Sequence, residues 1–149
     1  MATKFKIERV VLSDYAVVEQ GTTKVTLAGC FNQLVARAFP AALNFFATLT
    51  VSGFSVGEHT LVFSFSIRPE GSEETFYNLR ANLKLEIGQP TTTPSFTADK
   101  IAIDFPIQLP SVQIPKPGSY ALTVKGENLD TFQRIFNVDG ASTPEKGGK

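Results

Sequence analysis

Histidine occurs once in the 149 residues, at His59, beside Glu58 and just ahead of an alternating apolar stretch. An imidazole there could serve as a general acid or base, or as a metal ligand. A metal site draws three or four ligands, and no second histidine, His-x-His pair or nearby cysteine accompanies it. The expectation is a strand-end residue with its ring partly exposed. Cysteine also occurs once, at Cys30. A thiol nucleophile needs a neighbouring base, whereas Val25, Leu27 and Phe31 around it predict a small half-buried or buried hydrophobe in a strand. Ser13, His59 and Asp14 supply the residue types of a Ser-His-Asp triad, without the Gly-x-Ser-x-Gly turn that would expose a nucleophile. Glu70, Glu73 and Glu74, with Asp14, Glu19 and Asp104 elsewhere, could offer oxygen ligands to calcium. They lack the Asp-x-Asp-x-Asp-Gly spacing that wraps the ion, so the Glu-rich loop reads as a solvated tip. Tyr120, after Pro117-Gly118-Ser119, is expected to turn its ring inward and offer its hydroxyl to a backbone group or water. No catalytic, cofactor-binding or metal-binding residues are nominated, and the reading is that the protein is not an enzyme.

These side chains hang on strands. Leu61, Phe63, Phe65 and Ile67 alternate with Val62, Ser64, Ser66 and Arg68. Leu79, Ala81, Leu83, Leu85 and Ile87 alternate with Arg80, Asn82, Lys84 and Glu86, and Ile101, Ile103, Phe105, Ile107 and Leu109 repeat the pattern. Tyr120, Leu122 and Val124 stand against Thr123 and Lys125. Successive strand side chains face opposite sides, so each run predicts a strand with one face in the core and one in water. Less regular strands are expected over 5–12 and 15–19, over 24–31 after a turn at Gln20-Gly21-Thr22, and over 45–51. Gly29 is expected to mark a bulge. Residues 32–44 read as a crossing loop with at most one helical turn, because Phe39-Pro40 opposes a longer helix. Residues 88–95 and 110–118 read as further connections, the prolines of the second excluding a central strand. Pro69 to Glu73 reads as a hairpin tip and Gly126 to Asp130 as the link to a final strand that ends at Val138.

The sum is an all-β fold: an antiparallel β-sandwich of about eight strands with Greek-key or jelly-roll-like connections. Residues 1–140 are expected to form a single domain, with 141–149 a flexible tail lacking any large apolar anchor. A length of 149 residues suits one core. Fourteen basic and fourteen acidic residues cancel, which argues against nucleic-acid binding and against a polybasic membrane surface. Thirteen phenylalanines and no tryptophan suit a core of interdigitating rings between two sheets. One cysteine permits no internal disulfide. The start, Met1 to Arg9, has no apolar run, so no secretory signal is expected, and 34–51 is too interrupted to span a bilayer.

Several residue groups carry a resemblance. Val10-Val11-Leu12-Ser13-Asp14-Tyr15-Ala16-Val17-Val18 precedes a glycine turn and Val25-Thr26-Leu27-Ala28-Gly29-Cys30-Phe31; then come Phe39-Pro40-Ala41, His59-Thr60-Leu61-Val62-Phe63-Ser64-Phe65 and Pro117-Gly118-Ser119-Tyr120. This order resembles a family of small bacterial all-β proteins whose function is not established, over residues 6–138. The chain departs from the family at Cys30-Phe31, where the family tends to have Gly and Trp. The resemblance implies a sandwich fold and carries over no catalytic residue or cofactor. The functional expectation is a cytoplasmic, non-enzymatic binding or interaction module with a protein partner or self-association. Alternatives are a phage virion or assembly component, located in the virion, and an enzyme with a dispersed site.

Overall fold

The computed structural model describes residues 5–20, 24–88 and 101–141. Among them are nine strands and no helix: β1 (Lys6–Val18), β2 (Val25–Cys30), β3 (Gln33–Ala36), β4 (Ala41–Phe54), β5 (Gly57–Pro69), β6 (Tyr77–Ile87), β7 (Ile101–Ile114), β8 (Gly118–Gly126) and β9 (Leu129–Gly140). They form two sheets, ordered β2-β1-β4-β7 and β3-β9-β8-β5-β6. All pairings are antiparallel except β3 with β9.

The alternating runs fold as their periodicity dictates. Leu61, Phe63, Phe65 and Ile67 of β5 are buried, with Tyr120, Leu122 and Val124 of β8 beside them. Val10, Leu12, Phe45, Ala47, Leu49 and Val51 line the other sheet's buried face. A ring contact bridges the two sheets, Phe45 of β4 lying 5.9 Å from Phe136 of β9, and within the five-stranded sheet Tyr120 stacks on Phe136 at 5.9 Å. At the far end Ile7 donates its backbone N–H to Asp130 Oδ1 at 2.7 Å, tying β1 to the start of β9.

Several expectations change. Residues 33–36 form a strand, not a helical turn, because Gln33 to Ala36 find parallel partners in Asn137 to Gly140. β7 runs through Pro106 and Pro110 to Ile114. It is an edge strand, where a missing N–H costs no ladder bond. β8 is buried on both faces, Ala121 and Thr123 as well as Leu122 and Val124. Gly29 sits in unbroken register, since Ser13 pairs with Cys30 and Tyr15 with Ala28. Its role is close approach: φ is +68°, and a Cβ there would stand 2.5 Å from Asp14 Oδ2. β1 runs on through Ser13-Asp14 as one strand, joining the stretches expected on either side. The tail at 142–149 and most of the 88–95 connection lie outside the described residues.

β1 serves two partners in turn. Residues 6 to 13 pair with β4, and residues 13 to 18 pair with β2. Only Ser13, fully buried, pairs with both. Arg9 and Val18 would lie about 30 Å apart on a straight strand. Yet Val25, the partner of Val18, shares one cleft with Arg9, Val11, Thr48 and Asp104. The β1–β2 hairpin therefore folds back over the outer face of its own sheet. Ala16, inward on the hairpin, is buried beneath it, while Tyr15 and Val17 on the opposite side are exposed.

Tyr120 pins the approach to β8. Its hydroxyl donates to the carbonyl of Lys116, as the Pro-Gly turn predicts. Burial pushes this phenol, and that of Tyr77, above the usual value. The folded chain thus holds these protons more tightly than the unfolded chain. The associated stability is complete below about pH 10 and is lost as pH rises through the folded values. Tyr120→Phe should cost about 1 kcal/mol at neutral pH and weaken the alkaline loss seen in urea unfolding; an unchanged alkaline slope would assign that loss to other groups.

Candidate functional site

The residues with chemical potential do not converge. His59 is buried rather than part-exposed. Its ring meets the rings of Phe5 at 5.8 Å and Phe54 at 5.4 Å edge to face, and Nε2 lies 2.7 Å from the Ser55 carbonyl oxygen. Cys30 is exposed at the end of β2 rather than buried. Ser13 donates to the Tyr15 carbonyl at 3.0 Å and pairs with Phe46, whereas His59 packs on Phe54. Eight residues of β4 separate those two points, about 26 Å at strand rise, so Ser13, Asp14 and His59 form no triad. Glu19 accepts from Thr26 and Asp104 accepts from Thr50, each far from the loop holding Glu70, Glu73 and Glu74. Among the described residues no group of three or more His, Cys, Asp or Glu side chains could hold a metal ion. No helix among them is long and apolar enough to cross a membrane.

What does converge is a set of polar side chains on the outer face of the five-stranded sheet. Register assembles them from four strands, β6, β5, β8 and β9. Ser64 of β5 stands opposite Arg80 of β6 on one side and Lys125 of β8 on the other. The next row is Asn78, Ser66, Thr123 and Gln133. Opposed side chains on one face lie about 5 Å apart, so these rows make a continuous polar surface. Two shallow clefts open on it, of about 410 Å³ and 470 Å³, and Lys125 lines both.

The first cleft takes Ser64, Arg80 and Glu127; the second takes Ser66, Arg68, Thr123 and Glu73. Arg68 is held in place by donating from Nη1 to the Ser72 carbonyl at 2.7 Å. Three cations thus surround a strip of hydroxyls, with the two carboxylates Glu73 and Glu127 among the lining residues. At the centre Thr123 is 7% exposed, and its hydroxyl has no hydrogen-bond partner among the described residues. A buried hydroxyl without a partner costs on the order of 1–3 kcal/mol. An occupant of the cleft that reached Thr123 would recover that cost. The arrangement suits hydrogen bonding and anion attraction.

Periodicity puts Ser64, Ser66, Thr123 and Lys125 on the solvent side of their strands, and nothing in the sequence singles any of them out. Their alternation is the available signal. The rows themselves depend on which strands are neighbours and in what register.

No curated protein matches the sequence. Among solved structures, the β-glucosidase EmGH1 from Erythrobacter marinus is similar at 9% identity and a TM-score of 0.42, over 65% of this chain and 13% of that one. A β-glucosidase from Listeria innocua in complex with gluconolactone is similar at 9% identity and a TM-score of 0.46, over 91% of this chain and 16% of that one. The chain spans about a sixth of the length of those enzymes or less, and likeness at this level extends none of their properties to it. The sequence of residues 8–139 matches a family of unknown function, and the chain belongs to that family, DUF6941.

Proposed function

We propose that the protein is a non-enzymatic binding module that recognises an acidic protein surface through the outer face of its five-stranded sheet. The observation that carries this reading is the pair of cross-strand rows around the buried, unpartnered Thr123 hydroxyl, with Arg68, Arg80 and Lys125 around them. The chain has no net charge, so the attraction is local to this face and acts over about one Debye length, about 8 Å at physiological salt. Serine, threonine and asparagine supply hydrogen bonding in both directions, and the three cations supply orientation. The scaffold is read as a Greek-key-like β-sandwich forming one domain. Crossings between the sheets from β2 to β3, β3 to β4, β4 to β5, β6 to β7 and β7 to β8 support that reading, as does the shared core.

A polyglutamate decapeptide serves as a probe for an acidic surface in an amide-resolved NMR titration. The expected result is saturable shifts at Ser64, Ser66, Thr123 and Lys125 that fade with added salt and vanish in the Arg80→Glu, Lys125→Glu double variant. Shifts confined to other faces, or shifts untouched by the double variant, would discard this surface as the binding face.

A further inference from the structure

The folded-back hairpin leaves a cleft of about 210 Å³ between itself and the outer face of the four-stranded sheet. Its two sides differ in chemistry. Val25 and Leu27 of β2, with Val11 of β1, provide apolar surface. Opposite them Arg9 donates from Nε to Thr50 Oγ1 at 3.0 Å, and Thr50 donates in turn to Asp104 Oδ1. One hydroxyl therefore sits between a cation and an anion and holds them at fixed separation. It engages one nitrogen of the guanidinium and one oxygen of the carboxylate. The terminal Nη groups of Arg9 and Oδ2 of Asp104 are not part of that relay. Thr48 lines the same cleft. It is 4% exposed, and its hydroxyl has no hydrogen-bond partner among the described residues.

We propose that this cleft binds a small aliphatic α-amino acid in its zwitterionic form. The carboxylate would lie on the Arg9 guanidinium, the ammonium on Asp104 Oδ2, and the side chain against Val11, Val25 and Leu27. The Thr48 hydroxyl then gains a partner in the ligand's polar end. Electrostatics selects the zwitterion. A lone anion attracted to Arg9 meets the Asp104 charge one hydroxyl away, and a lone cation meets the reverse. A ligand with both charged groups on one carbon satisfies both poles at once. Size selects the small aliphatic class: the volume is below that of drug-sized pockets and equals the liquid share of on the order of seven water molecules. This site lies on the opposite sheet from the acidic-surface site, and the two stand or fall separately.

The test uses the full chain and L-valine, with isovalerate and isobutylamine as probes that keep one pole each. Amide-resolved titration should show saturable shifts at Val11, Leu27, Thr48 and Thr50 with valine. Isovalerate and isobutylamine should each bind at least about tenfold more weakly, because each leaves one charge of the cleft unmatched. Arg9→Gln and Asp104→Asn, both at solvent-reached positions, should each weaken valine by about tenfold or more while retaining the wild-type thermal melt. Isovalerate binding as tightly as valine would reduce the site to an anion site and overturn the proposal. So would the lack of any saturable shift below about 10 mM valine, a readout that needs no variant to fold.

Discussion

Truncating Phe65 to alanine should destabilise the protein by about 3–5 kcal/mol. The ring is fully buried on β5, with Leu79 of β6 opposite on one side and Val124 of β8 opposite on the other. It also meets Phe63 edge to face at 5.5 Å. Removing it forfeits the transfer energy of the ring and leaves a cavity. Collapse into that cavity would require β5 to move, and β5 is held by hydrogen-bonded ladders on both sides. A site that cannot relax sits at the upper end of the large-to-small range. Ser66→Ala, on the adjacent position and the opposite face, should change stability by no more than about 0.5 kcal/mol. Urea unfolding of the two variants gives the comparison, read as midpoint shifts at constant slope. Equal losses in both would mean that the outer face of β5 is packed rather than open to a ligand.

Gly126→Ala should cost about 2–3 kcal/mol for a different reason. Gly126 pairs with Phe63 across β8 and β5. A Cβ added there would lie 2.5 Å from the Val62 carbonyl oxygen and 3.0 Å from Phe63 Cβ. The nearer atom is backbone, so relief requires parting β8 from β5 at the end of their shared ladder rather than rotating a side chain. Gly71 is the matched control. It sits in the β5–β6 tip at φ +87°, and a Cβ added there would meet nothing within 4 Å. Its alanine variant therefore bears only the backbone strain of about 1–2 kcal/mol. A Gly126→Ala protein with the wild-type urea midpoint would show that β5 and β8 can separate without loss, against the packing described for this pair.

The strands legible in the sequence are those whose two faces meet different surroundings. In β5 every second residue from His59 to Ile67 is buried, and period-two reasoning finds that directly. In β6 the same alternation is present, although its inward residues are only half-buried at the sheet edge. β3 is illegible because its partner lies about a hundred residues away, at Asn137 to Gly140. Four residues with two half-buried positions leave too little pattern to distinguish a strand from a turn. Thr123 keeps its place in the alternation but is buried rather than exposed. Both polar sites are hidden for the same physical reason. Arg9, Thr50 and Asp104 are 41 and 54 residues apart in successive steps, so no local spacing connects them. His59 and Cys30 draw notice as singular residue types, yet one packs among phenylalanines and the other faces solvent.

The parallel pairing of β3 with β9 has a consequence for synthesis. β3 is complete at Ala36, but its partner ends at Gly140. At about 5–20 residues per second a ribosome needs roughly 5–20 s to add the intervening hundred residues. Throughout that interval the nascent chain carries β3 without its sheet, and β8, once made, lacks its neighbour on one side until β9 follows. Phe45 meanwhile waits for Phe136, the ring that caps it from the opposite layer. A ribosome-stalled chain ending before β9 should therefore present the apolar faces of β5 and β8 to chaperones, and release of the last strand should withdraw them together.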